Sequence, residues 1–256
     1  MIQDIDLDHV AIAVERQDEV WPRYVGDLAG KFLGGGDTIG FSTAQVGFAN
    51  RMRLEVLEPH AVEQNDFLRR FLDRNGPGPH HVTYKVKDIV AALATAEAAG
   101  YAPVSVNLRD PHWKEAFLHP KQSWGTVVQI AQASAEWRGE GRQTPERRTE
   151  TPATFDHMAL AVTSIEGASG MFVDLLGGTP FDRGDGWVEL AWPGPGRIRL
   201  LERPDALDGR IGRVSHLTFS CERPEDIADA KAADDGTFII DAADNLGTRL
   251  VLRSRG

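Results

Sequence analysis

The chain has 256 residues, 41% hydrophobic and 26% charged, enough for one large domain or two ordinary ones, each with its own core. Its formal net charge of −10 argues against nucleic acid and anionic lipid as partners, and no apolar run reaches the roughly 18 residues of a membrane helix. The single Cys221 excludes an internal disulfide and a cysteine-based zinc site; with an acidic opening, MIQDIDLDHVAIAV, where a secretory signal would be basic, it predicts a cytoplasmic protein.

Taken in chain order, LDHVAIAV alternates as a strand does. Asp18 is placed to cap a helix with Val20, Trp21, Tyr24, Val25 and Leu28 on one face, Pro22 being tolerated in its first turn. The glycines at 34–36 are expected to end that region, with strands following around 39–48 and 51–58. The next stretch predicts a strand at 80–87, a helix from Asp88 to Ala99 stopped by Gly100, and strands near 103–107, 115–119 and 125–132. Residues 134–153, polar and rich in charge and proline, read as a linker. The same scheme returns over 155–203. A last stretch predicts a strand at 214–221, a helix near 224–233 and strands near 237–241 and 247–253.

The chain repeats itself. DHVAIAV at 8–14 recurs as DHMALAV at 156–162, HHVTYKVKDI at 80–89 has a partner in SHLTFSCERPEDI at 215–227, and GTVVQIAQ at 125–132 pairs with GTRLVLRS at 247–254. Three matches in one order argue for duplication. A finer repeat lies inside each half, because His9 and His81 both open a strand followed by a helical stretch. The expectation is an α+β protein of four related strand–helix–strand units of about 50–60 residues, the last one shortened. Its domains are expected at 1–133 and 154–256.

Strand alternation decides which side chains converge. His9, Ala11 and Ala13 share a face; so do Arg53, Glu55 and Leu57; so do His81, Thr83 and Lys85; so do Val127, Gln129 and Ala131. The small face of the first strand is expected to stay open as a cavity wall. Each strand thus offers one potential ligand. A lone strand histidine is more often a hydrogen-bonded core residue, Glu55 alone suits a salt bridge, and Gln129 suits a satisfied polar group. Four such residues at matched places in duplicated units resist that explanation.

In LDHVAIAV, RLEVLEP, PGPHHVTYKVKDI and AFLHPKQSWGTVVQIAQ the chain resembles the vicinal oxygen chelate superfamily, which includes glyoxalase I, methylmalonyl-CoA epimerase, extradiol dioxygenases and antibiotic-resistance proteins. The resemblance covers nearly the whole chain, and the first half is most similar to epimerase or glyoxalase I-like modules. It implies paired βαβββ modules forming cupped eight-stranded sheets or barrels. It also implies a metal held by His9, Glu55, His81 and Gln129. Two imidazoles, a carboxylate and an amide oxygen suit one divalent ion such as zinc, nickel, cobalt, manganese or iron.

In the second half His157 and His216 match the two histidines, but Arg199 falls at the place of Glu55 and Val251 at that of Gln129. A cation there repels a metal. That half is expected to be metal-free, serving as a structural partner or binding an acidic small molecule through Arg199. For the first half, the resemblance implies a metal-dependent enzyme that polarises a small substrate with vicinal oxygens for isomerase or lyase-type proton transfer. The alternatives are an iron dioxygenase and a non-catalytic binding or resistance protein. Epimerases resembling this chain take their base from the strand before RLEVLEP, but TIGFSTAQVGFANR has no carboxylate. Glu55 is therefore the candidate base and His119 a candidate proton shuttle, with Trp113 and Trp124 as candidate substrate walls and a monomer or homodimer expected. The plainer reading makes His119 a turn residue before Pro120 and both tryptophans core. His80 is expected to cap its strand.

Overall fold

The computed structural model describes residues 1–134, 144 and 146–255. It is an α+β structure with two open eight-stranded mixed sheets. The first holds β1 (Ile5–Ala13), β2 (Lys31–Asp37), β3 (Gly40–Gly47), β4 (Arg53–His60), β5 (Gly78–Val86), β6 (Val104–Asn107), β7 (Trp113–Leu118) and β8 (Val127–Ala133), in the order β2-β3-β4-β1-β5-β8-β7-β6. The second holds β9 (Thr154–Val162), β10 (Thr179–Gly184), β11 (Trp187–Ala191), β12 (Arg197–Glu202), β13 (Gly212–Cys221), β14 (Lys231–Ala232), β15 (Phe238–Ile240) and β16 (Leu250–Ser254), in the matching order β10-β11-β12-β9-β13-β16-β15-β14. The duplication seen in the sequence is thus a duplication of topology. In each sheet the strands that carry the matched histidines, His9 and His81 in one and His157 and His216 in the other, are the two central ones.

Compactness divides the chain into Met1–His9, His81–Glu136 and His157–Ser215 on one side and Val10–His80, Trp137–Asp156 and His216–Gly256 on the other. Four of these five boundaries fall inside β1, β5, β9 and β13. In the first unit Trp192 meets Tyr84 at 5.2 Å between ring centroids, and Asp6 accepts the Gly194 N–H at 3.0 Å. Gly125, at φ 80°, lies so close to the Gly212 carbonyl that a Cβ would stand 1.7 Å from its oxygen, which reserves the position for glycine. In the second unit Phe155 stacks on Phe219 at 4.6 Å, and the buried Tyr24 hydroxyl accepts from Asn245 Nδ2 at 3.0 Å. Arg23 reaches Asp27 at 2.7 Å, the Ala228 carbonyl at 2.8 Å and Asp229 at 3.1 Å.

Several local expectations are corrected. The helix after β1 is a 3₁₀ turn at Gln17–Glu19 followed by a π-helical turn at Pro22–Asp27, and Asp18 pairs with Arg16 instead of capping it. Val20, Trp21, Tyr24, Val25 and Leu28 are nevertheless all buried, so the apolar stripe was real and only the winding differs. The glycines at 34–36 do not end a region but lie within β2, paired with β3 across a bulge between Phe32 and Gly34. A Cβ at Gly35 would sit 2.5 Å from the Thr43 carbonyl oxygen, so glycine marks a close approach of two strands. The helix expected near 224–233 is a single 3₁₀ turn, Pro224–Asp226. Ile227 is the only large apolar residue there to anchor a helix, and Asp229 stands at φ 65°, so nothing repays helix nucleation. Of the expected linker, residues 135–143 and 145 lie outside the described residues. At its end Ala153 is tied by backbone hydrogen bonds to Leu28 and Ala49, both 2.9 Å.

The helix α1 (Phe67–Asn75) was not anticipated. Its Leu68 and Leu72 are buried against Ala11, Ala13 and Leu57, with Phe41, Phe67 and Phe71 packed around them. Beyond His9, then, the small face of β1 is not an open wall. It is small because α1 lies on it. By contrast α2 (Ile89–Ala98) forms as expected: Asp88 caps it by accepting from the Val90 and Ala91 N–H groups at 3.0 and 3.1 Å, and Gly100 stops it at φ 88°.

Candidate metal centre

His9 in β1, Glu55 in β4 and His81 in β5 bring their ligand-type atoms within 4.8 Å of one another. The strands β4, β1 and β5 are consecutive neighbours in the sheet, so residues far apart in sequence become adjacent across the strands. Both histidines are buried, and their rings stand edge to face at 5.8 Å. Glu55 is half-buried and accepts from the Thr43 hydroxyl at 2.8 Å. Two imidazoles and a carboxylate are a donor set for a borderline divalent ion, and two coordination bonds of about 2 Å nearly span the distance observed. The residues present fit such an ion. Among the described residues, the second half offers no comparable trio.

Gln129 in β8 stands directly opposite Thr83 in the parallel β5–β8 pair, and the Thr83 hydroxyl donates to its Oε1 at 2.5 Å. That hydroxyl also lies 2.9 Å from His9 Nε2, so Thr83 joins two of the four residues singled out in the sequence. The Gln129 amide nitrogen donates to Glu115 Oε2 at 2.7 Å, which fixes the amide with its oxygen toward Thr83. Trp113 Nε1 donates to the same Glu115 oxygen at 2.8 Å. On the other side of His9, Nδ1 lies 2.8 Å from Asp8 Oδ2, and the second Asp8 oxygen is 3.1 Å from Lys85 Nζ.

Trp113 therefore belongs to this cluster, through Glu115. Trp124 does not: its ring edge would lie 2.8 Å from a Cβ on Gly167, within α3 (Ile165–Ser169), so it packs on that helix. His119 sits beyond the end of β7, exposed, its Nδ1 accepting the Lys121 N–H at 3.2 Å in a turn. It is not on the strand that was expected to carry it. His80 packs between Phe67 and Phe71, at 6.2 and 4.6 Å. Burial there pushes its imidazole down to about 4, against the opposing charge of Glu55, so it stands neutral at pH 7.

Asp8, Thr83, Lys85 and Glu115 were not proposed from sequence as parts of a site. Alternation did place Thr83 and Lys85 on the face of His81, which was a usable signal. Asp8 escaped because alternation puts it opposite His9, whereas its side chain reaches the neighbouring ring.

In the second sheet Thr218 pairs with Val251 as Thr83 pairs with Gln129, and Arg199 pairs with Glu189 as Glu55 pairs with Gln45. The register thus confirms the matched positions. Arg199 donates to Glu189 Oε2 through Nε at 2.9 Å and Nη2 at 2.6 Å, with its guanidinium 4.1 Å over the Trp187 ring. The same carboxylate oxygen is 3.2 Å from His157 Nδ1. The guanidinium expected to receive an acidic small molecule is committed to an internal carboxylate.

Residues 8–117 match the family described as the Glyoxalase/Bleomycin resistance protein/Dioxygenase superfamily. A hypothetical protein from Staphylococcus aureus is similar over 100% of both chains, with 11% identity and a TM-score of 0.63, and that likeness shows the fold alone. A hypothetical protein from Bacillus halodurans C-125 aligns with 54% of this chain and 100% of its own at 27% identity and TM-score 0.46. Methylmalonyl-CoA epimerase from Mycobacterium tuberculosis aligns with 51% of this chain and 89% of its own at 22% identity and TM-score 0.45. A search of the curated proteins found no match.

Proposed function

Since residues 8–117 match the Glyoxalase/Bleomycin resistance protein/Dioxygenase superfamily, we propose that this chain is a metal-dependent enzyme of that type. In this reading it catalyses isomerase or lyase-type proton transfer on a small substrate with vicinal oxygens. The observation that carries the reading is the convergence of His9, Glu55 and His81 from three adjacent strands with their ligand atoms within 4.8 Å. His9, Glu55, His81 and Gln129 would hold one divalent ion, which when bound supplies Lewis-acid polarisation of substrate oxygens.

The protein's own part is proton handling. Glu55, one of whose oxygens accepts from the Thr43 hydroxyl, would act as base by leaving the ion, its carboxylate then taking a proton from a carbon next to a substrate carbonyl. The proton returns to a different carbon, or to the other face of the same one, so product is an isomer of substrate and no oxidant or reductant is consumed. His80, neutral beside Glu55, adds no cation that would compete for the carboxylate. The apolar cover of Leu68, Leu72 and their phenylalanines keeps water from that end of the β1 face.

The donor set supports a second reading. Two histidines and one carboxylate are also the set of non-haem iron oxygenases, and an iron-dependent dioxygenase follows if the ion is iron. Elemental analysis of the purified chain tests both. Zinc, nickel, cobalt or manganese favours proton transfer, iron favours oxygenation, and a chain that takes up no divalent ion overturns both in favour of a binding protein. His9→Ala or His81→Ala is expected to remove most of the metal while His157→Ala leaves it in place. Equal loss from all three variants refutes the assignment to the first half.

A further inference from the structure

The second sheet carries two arginines on one face of β12, and their surroundings differ. Arg199 stands directly opposite Glu189 on β11 and is paired with it, whereas Arg197 stands opposite Ala191. Arg197 Nη1 donates to the Gly194 and Gly196 carbonyls at 2.9 and 2.8 Å. Its Nε and Nη2 have no protein partner among the described residues. A half-buried cation thus lacks a carboxylate in a chain of net charge −10. Its guanidinium lies 5.1 Å from the centroid of the Phe181 ring, which is 64% exposed. From this geometry we infer that Arg197 and Phe181 form a binding site for a small oxyanion carried on an aromatic ring, a second site that does not depend on the proposed metal centre.

Both residues are set in place by the backbone. The pairing of β10 with β11 has a bulge between Pro180 and Asp182, and Phe181 is the extra residue, so its side chain is released from the alternation of the strand. Its ring reaches β12 across β11, the strand between them, past Ala191, whose methyl group leaves the way open. Arg197 follows the turn Pro193–Gly196. In that turn the Gly194 N–H is held by Asp6 at 3.0 Å, and Gly196 lies so close to Leu7 that a Cβ would stand 2.7 Å from that side chain. A turn fixed in this way holds the carbonyls that grip Nη1, so little side-chain freedom is left to lose on binding. The Nε–Nη2 edge of a guanidinium presents parallel N–H groups that match the oxygens of a carboxylate or a phosphate. Arg199 shows the filled form of the same arrangement: its guanidinium lies over the Trp187 ring, and its Nε and Nη2 both donate to Glu189. At Arg197 the ring is present and the carboxylate is left for a ligand to bring. An aromatic body on that ligand would pack against the exposed part of Phe181. Asp182, the acid next to Phe181, accepts from the Arg183 N–H at 2.8 Å.

The test is a titration of the full-length, isotope-labelled chain with benzoate and with phenyl phosphate, read at the Arg197 Nε–H resonance. That signal reports this site alone, even where the same anion also reaches the proposed metal centre. A saturable shift with a Kd of about 1–10 mM is expected for at least one probe, and the tighter probe names the head group. Acetate should bind about threefold more weakly than benzoate, or worse. Arg197→Lys, read at the Phe181 ring resonances, keeps the charge but loses the fork and should weaken binding about tenfold. Phe181→Ala removes a ring that the fold leaves exposed and should bring benzoate down to the level of acetate. Arg183→Lys, on the opposite face of β10 from Asp182, should change nothing. The inference is overturned by the absence of a saturable shift with either probe, by full binding in Arg197→Lys or in Phe181→Ala, or by an equal loss in Arg183→Lys. None of these outcomes bears on the metal site.

Discussion

Removing Arg199 is the sharpest probe of the second half. Glu189 has a side chain 9% exposed, and its Oε2 takes both guanidinium hydrogen bonds, at 2.9 and 2.6 Å. Arg199→Met keeps much of the stem and the contact with Trp187 but leaves a buried carboxylate without its cation. Breaking such a pair costs about 3–5 kcal/mol, most of it the desolvation of the abandoned charge. Glu189→Gln should cost less, about 1–3 kcal/mol, because Arg199 retains 16% exposure and the ring beneath it. With both changes no charge is stranded, so the double variant should cost clearly less than the two singles added, with a coupling on the order of 2 kcal/mol. Urea unfolding followed by tryptophan fluorescence, with Trp187 beside the pair, measures all three. Additive single costs, or an Arg199→Met variant within about 1 kcal/mol of the unmodified chain, would refute the idea that this half is closed by its own ion pair.

Two further predictions concern the core. Leu68→Ala is expected to cost about 3–5 kcal/mol in the same unfolding assay. Leu68 is fully buried and its strand-borne neighbours Ala11 and Ala13 are too small to fill the hole, so a cost under about 1 kcal/mol would show that α1 is not seated on β1. Cys221 is buried, and burial pushes its thiol up to about 11. Alkylation of the folded chain should therefore stay slow at pH 8 and rise only as pH approaches 11. Because the folded thiol holds its proton more tightly than the unfolded one, its contribution to stability is complete below the unfolded value near 9 and is lost as pH climbs through 11. A Cys221→Ala chain should lack that part of the alkaline decline, and identical stability profiles for the two chains would refute it.

The sequence by itself indicated the duplication, the strands that carry His9, His81, His157 and His216, and the potential ligands His9, Glu55 and His81, because alternation and internal repetition can be read along the chain. Counting along each strand grouped His9 with Ala11 and Ala13 and Glu55 with Arg53 and Leu57, and the matched positions left the second half with Arg199 and Val251. It also supplied α2 through Asp88 and Gly100, where cap and stop are both written in the chain. Only the tertiary structure decided what those side chains meet. That α1 covers Ala11 and Ala13, that Glu189 claims Arg199, and that Asp8 turns to the ring beside it all depend on elements brought together across long separations. Spacing alone carries no information about which of several polar groups will be nearest. The winding after β1 was likewise decided by packing: the apolar residues were buried as the stripe required, and a π-helical turn met that requirement where an α-helix was expected.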